Sequence, residues 1–327
     1  MTLCVRTGSR LHLGFLDLQG GTGRRFGSLG VAIDRPETVL EASFGERWLY
    51  EGPEVFRSKV ESAGRLLFGD LPPVEIRLLR VPRAHVGLGS GTQVVLAAAA
   101  ALAELAGIDG DIRFLASRLD RGRRSAVGVE AFAAGGLILD GGLLPGEAGP
   151  PPLLVRRFLP ERWRFLLALV PGAAGLSGRA EERALAQLPP PDPSSAGELC
   201  RLVVMALLPA LEKRDGKAFG AALTEIQRLV GRSFAPVQGG IYASPTAEAL
   251  LRALSEEGAL GVGQSSWGPT VFGFFDDPVE AEAAGEALLR RPEAEGSELI
   301  LASPLNEGAR VVRCPLREEV GDAFSRR

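Results

Sequence analysis

Short apolar segments and longer amphipathic stretches alternate along the first half of the chain. Val39–Phe44 (VLEASF) follows a pre-proline break, and Pro72–Pro82 (PPVEIRLLRVP) has proline at both ends, so both are predicted to be strands. Apolar residues recur at helical spacing over Thr92–Ala106, and Gly107 supplies the expected helix end. A further strand is predicted at Leu137–Leu139.

The second half continues the alternation. Gly141–Pro152 is rich in glycine and proline, which predicts a loop or linker, and Arg164–Gly172 (RFLLALVPG) is predicted to be a buried strand. A helix is expected over Pro245–Glu257, because Ser244 is a favourable N-cap and proline suits the first helical position. Gly261–Phe275 is predicted to be a glycine-rich loop followed by a strand.

The length of 327 residues favours two domains, since single domains typically hold about 100–200 residues. Strands alternate with helices in both halves, so the expected class is α/β or α+β with two lobes. We expect the first domain over residues 1–155 and the second over residues 156–327. Pro189–Ser195 is predicted to be a loop between two helical segments, and no function is assigned to it.

Composition narrows the class of protein. The net charge of −3 argues against a nucleic-acid binder with a strong basic field. Three widely spaced cysteines (Cys4, Cys200 and Cys314) show neither a disulfide framework nor zinc-ligand spacing. The start does not resemble a signal peptide, and the apolar stretch Val94–Leu105 is too short for a membrane span. A cytoplasmic protein without membrane contact is the expectation.

Arginine outnumbers lysine strongly. Of 37 basic residues, only Lys59, Lys213 and Lys217 are lysines. A GC-rich genome explains such a bias, because alanine, glycine, proline and leucine are also abundant. The alternative is a site that selects planar, bidentate anion binders. No lysine lies in any of the candidate segments below, so the sequence predicts anion binding by arginine, backbone N–H groups, hydroxyls or metal.

A glycine-rich loop opens the predicted helix at residue 92. Gly87, Gly89 and Gly91 allow the backbone to approach a phosphate closely, and the free N–H groups of the helix start favour an anion. Ser90 and Thr92 place hydroxyls where phosphate or Mg²⁺ would bind. The spacing fits neither a Walker loop nor a dinucleotide fingerprint. The alternative is a tight strand-to-helix turn without a ligand.

The N-terminal segment RLHLGFLDLQGGTGRRFGSLGVAID adds polar groups among glycines. Arg24 and Arg25 are candidate phosphate clamps, or else a solvated surface turn. His12 is either functional or a core histidine with a satisfied hydrogen bond. Arg10 is a further candidate cation, and Asp17 a candidate metal ligand or orienting group.

Three segments together resemble the GHMP small-molecule kinase superfamily: SRLHLGFLD, HVGLGSGTQVVLAAAAAL and GVGQSSWGPTVFGF. The resemblance implies an α+β fold of two lobes, with an N-terminal lobe like ribosomal protein S5 domain 2 and a ferredoxin-like C-terminal lobe. The active site then lies between the lobes. From the third segment it implies ligand contacts by five residues: Gly263, Gln264, Ser265, Ser266 and Trp267. Trp267 then covers an aromatic ring, or else is a core tryptophan.

One departure from the kinases concerns the catalytic base. Many of these kinases carry an aspartate seven residues before a glycine pair, and here that position in SAVGVEAFAAGG is Gly128. Glycine cannot accept a proton, so phosphoryl transfer by the usual route is not expected. Two alternative hypotheses for the function stay open. One is an ATP-dependent kinase in which Glu130 or Asp140 acts as a shifted base, and the other is a non-catalytic phosphate-binding module of the same fold.

The strings RLHLGFLDL, GGTGRRFGSLGVAID and GRRSAVGVEAF resemble one branch, the β-ribofuranosylaminobenzene 5′-phosphate synthase family of tetrahydromethanopterin biosynthesis. The resemblance implies condensation of phosphoribosyl pyrophosphate with 4-aminobenzoate, with loss of CO₂ and pyrophosphate. On this hypothesis the 87–92 loop holds the pyrophosphate with Mg²⁺ near Ser90 or Thr92, and Arg10 is the basic residue of the first motif. One of Arg123, Arg124 and Ser125 then holds the carboxylate. A homodimer and 4-hydroxybenzoate as another acceptor are compatible with it.

Overall fold

The structure, a computed structural model, describes residues 1–172, 175–176, 178–189 and 193–314. The strands are β1 Thr2–Asp17, β2 Phe26–Phe44, β3 Leu49–Glu51, β4 Val74–Arg80, β5 Leu137–Asp140, β6 Leu153–Arg157, β7 Arg164–Leu169, β8 Gly261–Gln264, β9 Thr270–Phe275, β10 Glu298–Ala302 and β11 Arg310–Cys314. The helices are α1 Arg57–Phe68, α2 Ser90–Ala106, α3 Ile112–Arg118, α4 Val127–Ala133, α5 Gly178–Gln187, α6 Pro193–Leu202, α7 Leu208–Glu212, α8 Gly216–Gln238, α9 Pro245–Glu256 and α10 Pro278–Leu288.

The first sheet is built on a long antiparallel hairpin of β1 and β2. Its order is β11-β1-β2-β4-β3, with β5 and β6 attached along β2. Arg10 pairs with Ala32 and His12 with Gly30, so both side chains project from a strand. The glycines around His12 therefore lie within the sheet and not in a loop, and they allow close packing there: a Cβ on Gly30 would lie 2.3 Å from Val127 Cγ1.

The second sheet has the order β10-β7-β9-β8, all antiparallel. The sequence predicted a loop before β9, but Gly261–Gln264 is itself a strand, so the segment is a hairpin with its turn at residues 265–269. The glycines in this segment indicated a loop, but they are needed where the strand packs against α8: a Cβ on Gly263 would lie 2.4 Å from Gln227 Cγ.

The predicted strand at Val39–Phe44 is the last part of the longer β2, which runs through the expected pre-proline break, and β7 ends three residues before the predicted Gly172. The other predicted elements are confirmed within one or two residues. The helix after the glycine loop starts at Ser90, and Ser244 caps α9 by accepting a hydrogen bond from the N–H of Ala247. Residues 190–192 of the predicted 189–195 loop lie outside the described residues, and the prediction is wrong for residues 193–195, which already belong to α6.

The hydrophobic cores tie the sheets together. One core joins the hairpin to α1 and α2, through residues such as Val5, Leu40 and Leu96. A second core spans both sheets, because Leu11 and Leu13 of β1 share it with Phe272 and other residues of the second sheet and of α8. Burial of this apolar surface fixes β1 relative to the turn after β8.

One helical stretch, Ser194–Glu212, is long and apolar enough to cross a membrane by length and composition. It consists of α6, a π-helical segment over Val203–Leu207, and α7. Leu199, Val203 and Leu207 are buried in the second core, whereas Val204 and Met205 are exposed. This stretch is therefore weak evidence for a membrane span.

We propose two lobes, with one change to the expected division. The division between residues 155 and 156 falls inside β6, which pairs with β5 in the first sheet. We place it after Arg157, and we assign β11 to the first lobe because it pairs with β1.

Candidate active site

The loop before α2 has a backbone that only glycine adopts readily. Gly87 and Gly89 have φ of 84° and 80°, in the left-handed region. A Cβ on Gly87 would lie 2.5 Å from the carbonyl oxygen of Ser265. Gly89 is the N-cap of α2 and offers no side-chain cap, so the first N–H groups of the helix have no side-chain acceptor at the cap position. This is the geometry of an anion-binding loop.

Three segments that the sequence singled out meet at this loop. Arg10 donates from its guanidinium to the carbonyl oxygen of Gly87, and Ser265 Oγ donates to the same oxygen at 2.6 Å. The N–H of His12 donates to Ser265 Oγ at 3.0 Å, and the N–H of Ser266 donates to the carbonyl oxygen of His12 at 3.0 Å. The glycine loop, β1 and the turn after β8 therefore form one hydrogen-bonded unit.

A carboxylate from α5 joins the site and was not predicted. Arg124 contacts Glu181 with 2.5 Å between Nη2 and Oε2, and Glu182 lies 3.9 Å from the same guanidinium. Burial raises the pKa of Glu181, and the positive charges of Arg124 and then Arg10 oppose that rise. Burial lowers the pKa of Arg10 to about 10, against the attraction of Glu181. Arg10, Arg124 and Glu181 therefore form one charged cluster.

Neutral aromatic groups line the other side of the cluster. His12 is 5% exposed and its Nε2 has no hydrogen-bond partner, while its ring lies 4.8 Å from that of Phe15, edge to face. Trp267 packs against Phe234 at 4.4 Å between ring centroids. A cavity with room for about one water molecule lies among these residues. The indole N–H of Trp267 lies near Glu181 without a hydrogen-bond geometry.

The pKa of His12 yields a stability prediction. Burial lowers the pKa of His12 to about 3, with smaller contributions from the positive charges of Arg10 and Arg124. The unfolded chain therefore binds a proton at His12 below about pH 6.5, whereas the folded chain does not until about pH 3. The stability attributable to neutral His12 is present above pH 6.5 and is lost as the pH falls.

The unchanged protein should lose about 2 kcal/mol of unfolding free energy at His12 when the pH is lowered from 7 to 5. We expect the His12→Gln protein to lack this part of the loss. Urea unfolding at both pH values measures it. His85→Gln, at an exposed histidine, controls for removal of an imidazole. An identical pH dependence in His12→Gln and the unchanged protein would show that His12 is not held neutral in the fold.

Several predicted site residues have partners elsewhere. Arg24 pairs with Glu147 at 3.2 Å, and Arg25 donates to the carbonyl oxygen of Leu18. Arg123 pairs with Asp120 at 3.3 Å and is exposed. These contacts belong to the tip of the β1–β2 hairpin and to the α3–α4 connection, so the structure gives no support to these three arginines as ligand contacts.

Asp17 and Ser125 stabilise their own turns. Asp17 accepts hydrogen bonds from the N–H groups of Gln19, Gly20 and Gly21 at 2.8, 2.8 and 3.0 Å. Ser125 Oγ accepts from the N–H of Val127 at 3.2 Å. Such short-range bonds are typical of Asp and Ser in turns and caps. Their predicted roles in metal and carboxylate binding gain no support from these contacts.

The remaining predicted residues shape the site. Ser90 Oγ donates to the carbonyl oxygen of Arg83 at 3.4 Å, and Gln264 accepts from the N–H of Ala243 at 2.7 Å. Ser265 is fully buried beneath the glycine loop. Thr92 lies in the first turn of α2, facing Gly128 of α4.

Gly128 occupies the place from which a base would face the loop. A Cβ there would lie 3.3 Å from Thr92 Cγ2 and 3.8 Å from Thr92 Oγ1. The kinase hypothesis with a shifted base is not supported, because Glu130 and Asp140, the two carboxylates considered for that role, are held in other contacts. Glu130 is 3% exposed and pairs with Arg113, and Asp140 is fully buried. Asp140 accepts from the N–H groups of three residues: Ser28, Ala126 and Gly142.

A lysine also lies at the loop, contrary to the expectation from the sequence. The side chain of Lys59, on α1, passes Gly91, with its Cε 3.2 Å from the position of a Cβ on that glycine. No local signal indicated this contact, because Lys59 lies on α1, about 30 residues before the loop in sequence. Its packing against the loop depends on how α1 lies beside α2 in the fold.

Comparison with known proteins gives matches of two kinds in sequence. The family model described as GHMP kinases C terminal matches residues 207–294. A curated relative from Methanothermobacter thermautotrophicus, named beta-ribofuranosylphenol 5′-phosphate synthase, is 33% identical over 95% of this chain and 99% of its own length. A relative of the same name from Archaeoglobus fulgidus is 33% identical over 84% of this chain and 88% of its own.

Solved structures confirm the predicted fold class. Mevalonate pyrophosphate decarboxylase from Streptococcus pyogenes superimposes with a TM-score of 0.67 at 10% identity, over 94% of this chain and 97% of its own. Homoserine kinase from Cytophaga hutchinsonii gives a TM-score of 0.61 at 20% identity, over 95% and 97%. The chain therefore has the GHMP kinase fold, a mixed α+β fold.

Proposed function

The chain belongs to the β-ribofuranosylphenol 5′-phosphate synthase family, and we propose that its site transfers the phosphoribosyl group of phosphoribosyl pyrophosphate to a 4-substituted benzoate. It is an enzyme of the pentosyltransferase type, from the pathway to tetrahydromethanopterin. The C1–pyrophosphate bond breaks, a bond forms from C1 to the ring carbon that bears the carboxylate, and CO₂ leaves. The electron pair of the lost C–CO₂ bond restores the aromatic ring.

The observation that carries this proposal is the position of Gly128. It faces the loop at Thr92, so the position at which the kinases carry their aspartate holds no base. Glu130, Asp140 and Glu181 are all held in other contacts: Glu130 pairs with Arg113, Asp140 accepts backbone hydrogen bonds, and Glu181 pairs with Arg124. Phosphoryl transfer to a hydroxyl needs such a base, whereas attack by an electron-rich ring on C1 does not. A non-catalytic binding module is disfavoured because the full-length relatives are named synthases.

The charged cluster suits an oxocarbenium-like transition state. The N–H groups at the start of α2 and the guanidinium of Arg10 stabilise the charge that develops on the departing pyrophosphate. Arg124 binds the carboxylate of the acceptor, in place of its present partner Glu181. Trp267 is 6% exposed and packs on Phe234 in a cluster with Phe15, as a core tryptophan does, so a role in covering the aromatic ring requires the cavity beside it to widen.

We propose that the acceptor carries a hydroxyl group, since the relatives are named for a ribofuranosylphenol product. The sequence alone had favoured 4-aminobenzoate, with 4-hydroxybenzoate as the other acceptor. Both substituents donate electron density to the carbon that is attacked. Direct competition of the two acids for one pool of phosphoribosyl pyrophosphate, with separation of the products, measures the preference. An amine product in excess would restore 4-aminobenzoate as the acceptor.

Mg²⁺ is proposed as part of the substrate. Among the described residues no cluster of three or more His, Cys, Asp or Glu side chains lies together, and Asp17 is held in its own turn. Ser90 and Thr92 supply only hydroxyl groups, which do not fit a resident magnesium site. We therefore propose that Mg²⁺ arrives bound to the pyrophosphate oxygens.

A homodimer and a cytoplasmic location are also proposals. Sedimentation of the purified chain tests whether it forms a homodimer.

Gly128→Asp is expected to inhibit the enzyme. The new carboxylate faces Thr92 and the start of α2, where it repels the pyrophosphate that the loop binds. We expect about a tenfold rise in KM for phosphoribosyl pyrophosphate, corresponding to about 1.4 kcal/mol of lost binding. Gly128→Asn, of nearly the same size and uncharged, should raise KM much less. Equal effects of the two variants would mean that steric crowding, and not charge near a phosphate, is responsible.

A further inference from the structure

The side chain of Lys59 lies beside the first turn of α2, and Arg121 is close enough for its charge to act on Lys59. Cε and Cδ of Lys59 lie 3.2 and 3.7 Å from the position of a Cβ on Gly91. At the preceding glycine of the loop, Gly89, the corresponding position is 3.2 Å from Nε of Arg10. Arg121, from the connection between α3 and α4, is the charge that acts on Lys59. The loop is therefore flanked by positive charge at two separate points.

Neither Lys59 nor Arg121 forms an ion pair within the described part of the chain. Asp120 precedes Arg121 in sequence, but its carboxylate pairs with Arg123 at 3.3 Å. The ammonium of Lys59 donates to the carbonyl oxygen of Val55 at 3.3 Å. Nε of Arg121 is buried and has no hydrogen-bond partner among these residues.

This arrangement is unfavourable for the chain alone. Burial lowers the pKa of both Lys59 and Arg121, and repulsion by Arg121 lowers that of Lys59 further. The charge of Asp120 offsets part of the effect of burial on the pKa of Arg121. Like charges that are partly withdrawn from water and only partly compensated weaken a fold. An anion bound between them would remove that cost, and the N-terminal end of α2 would add to the attraction.

The donor in the proposed function has two separate phosphate groups, a pyrophosphate on C1 and a phosphomonoester on C5. Arg24 and Arg25, which were predicted to clamp phosphate oxygens, contact Glu147 and the carbonyl oxygen of Leu18 instead. Arg10 and the carbonyl of Gly87 mark one end of the loop. The second phosphate group has no cation assigned to it, whereas Lys59 and Arg121 have no anion.

We propose that Lys59, Arg121 and the first turn of α2 form a phosphomonoester subsite that holds the 5′-phosphate of the phosphoribosyl donor. The proposal rests on the proposed function, and it separates this subsite from the pyrophosphate end at Arg10 and Gly87. It assigns a lysine to phosphate binding in a chain in which the sequence had pointed to arginine alone.

Calorimetric titration with ribose 5-phosphate and, separately, with pyrophosphate tests the subsite in the full chain without an aromatic acceptor. We expect Lys59→Gln and Arg121→Gln each to weaken ribose 5-phosphate about tenfold, as for loss of one charge-assisted contact, and to change pyrophosphate less than about twofold. Lys217→Gln and Arg123→Gln are matched controls at exposed positions and should bind both probes as the unchanged protein does. Arg121→Lys, which keeps the charge, should retain most of the affinity and serves if Arg121→Gln does not fold.

Unchanged binding of ribose 5-phosphate in both Gln variants would overturn the subsite. Weakening of pyrophosphate in place of ribose 5-phosphate would also overturn it, since the cations would then belong to the pyrophosphate end. Because the titration involves no turnover, its outcome is independent of the reaction. A protein that shows the expected binding losses but releases no CO₂ would retain the subsite and lose the proposed function.

Discussion

Arg124→Ala is expected to lower kcat/KM for the aromatic acceptor by about 100-fold or more, the equivalent of about 3 kcal/mol. Arg124 lies in the cluster with Glu181 and Arg10, and it is the cation proposed to hold the acceptor's carboxylate until CO₂ leaves. Its removal also leaves Glu181 partly buried without its closest counter-charge, which repels an anionic acceptor. Steady-state rates of CO₂ release at varied acceptor concentration measure the loss.

Two further variants separate this role from a general loss of charge. Arg123→Ala removes the neighbouring arginine, which is exposed and pairs with Asp120, and should keep nearly full activity. Arg124→Ala combined with Glu181→Gln removes the unpaired carboxylate, so any fault in folding should be relieved while the acceptor remains weakly bound. Full CO₂ release by a folded Arg124→Ala protein would show that the carboxylate is bound elsewhere.

Asp140→Asn is expected to lower the free energy of unfolding by about 3 kcal/mol. The carboxylate is fully buried and accepts three backbone hydrogen bonds, two at Oδ1 from Ser28 and Gly142 and one at Oδ2 from Ala126. An amide has one oxygen, so the N–H of Ala126 would face an NH₂ group and lose its acceptor. Urea unfolding of the two proteins measures the difference.

Asp17→Asn is the matched control, because Asp17 also accepts three turn N–H groups but is partly exposed. Solvent can replace its bonds, so we expect a loss of about 1 kcal/mol or less. If Asp140→Asn were as stable as the unchanged protein yet inactive, Asp140 would act in the chemistry and not in holding β5, β2 and α4 together.

The elements around the glycine loop were predictable from sequence because local signals specify them. Helical spacing of apolar residues and a glycine at each end define α2, and proline boundaries define β4. The chemistry of the loop follows from the same glycines. The contact of Arg10 with Gly87 was not predicted, since it joins residues 77 positions apart and no local signal indicates it.

What the sequence missed depends on contacts between distant elements. Glu181 reaches Arg124 across 57 residues from an unremarkable polar helix, and Lys59 reaches the loop through the packing of α1 on α2. Lys59 was left out of the predicted site because only residues adjacent in sequence to the candidate segments were considered, whereas Lys59 is adjacent to the loop in space. Arg24 and Arg25 show the converse: their setting among glycines indicated a clamp, but Glu147 and the carbonyl of Leu18 are their partners.

The central claim is tested most directly by the fate of the acceptor's carboxyl carbon. The purified protein is mixed with phosphoribosyl pyrophosphate, Mg²⁺ and carboxyl-labelled 4-hydroxybenzoate or 4-aminobenzoate, and labelled CO₂ is followed together with pyrophosphate. We predict equal amounts of CO₂ and pyrophosphate, no requirement for ATP, and loss of both in Arg124→Ala. Hydrolysis of ATP without any release of labelled CO₂ would contradict the account and return the chain to the kinases whose fold it shares.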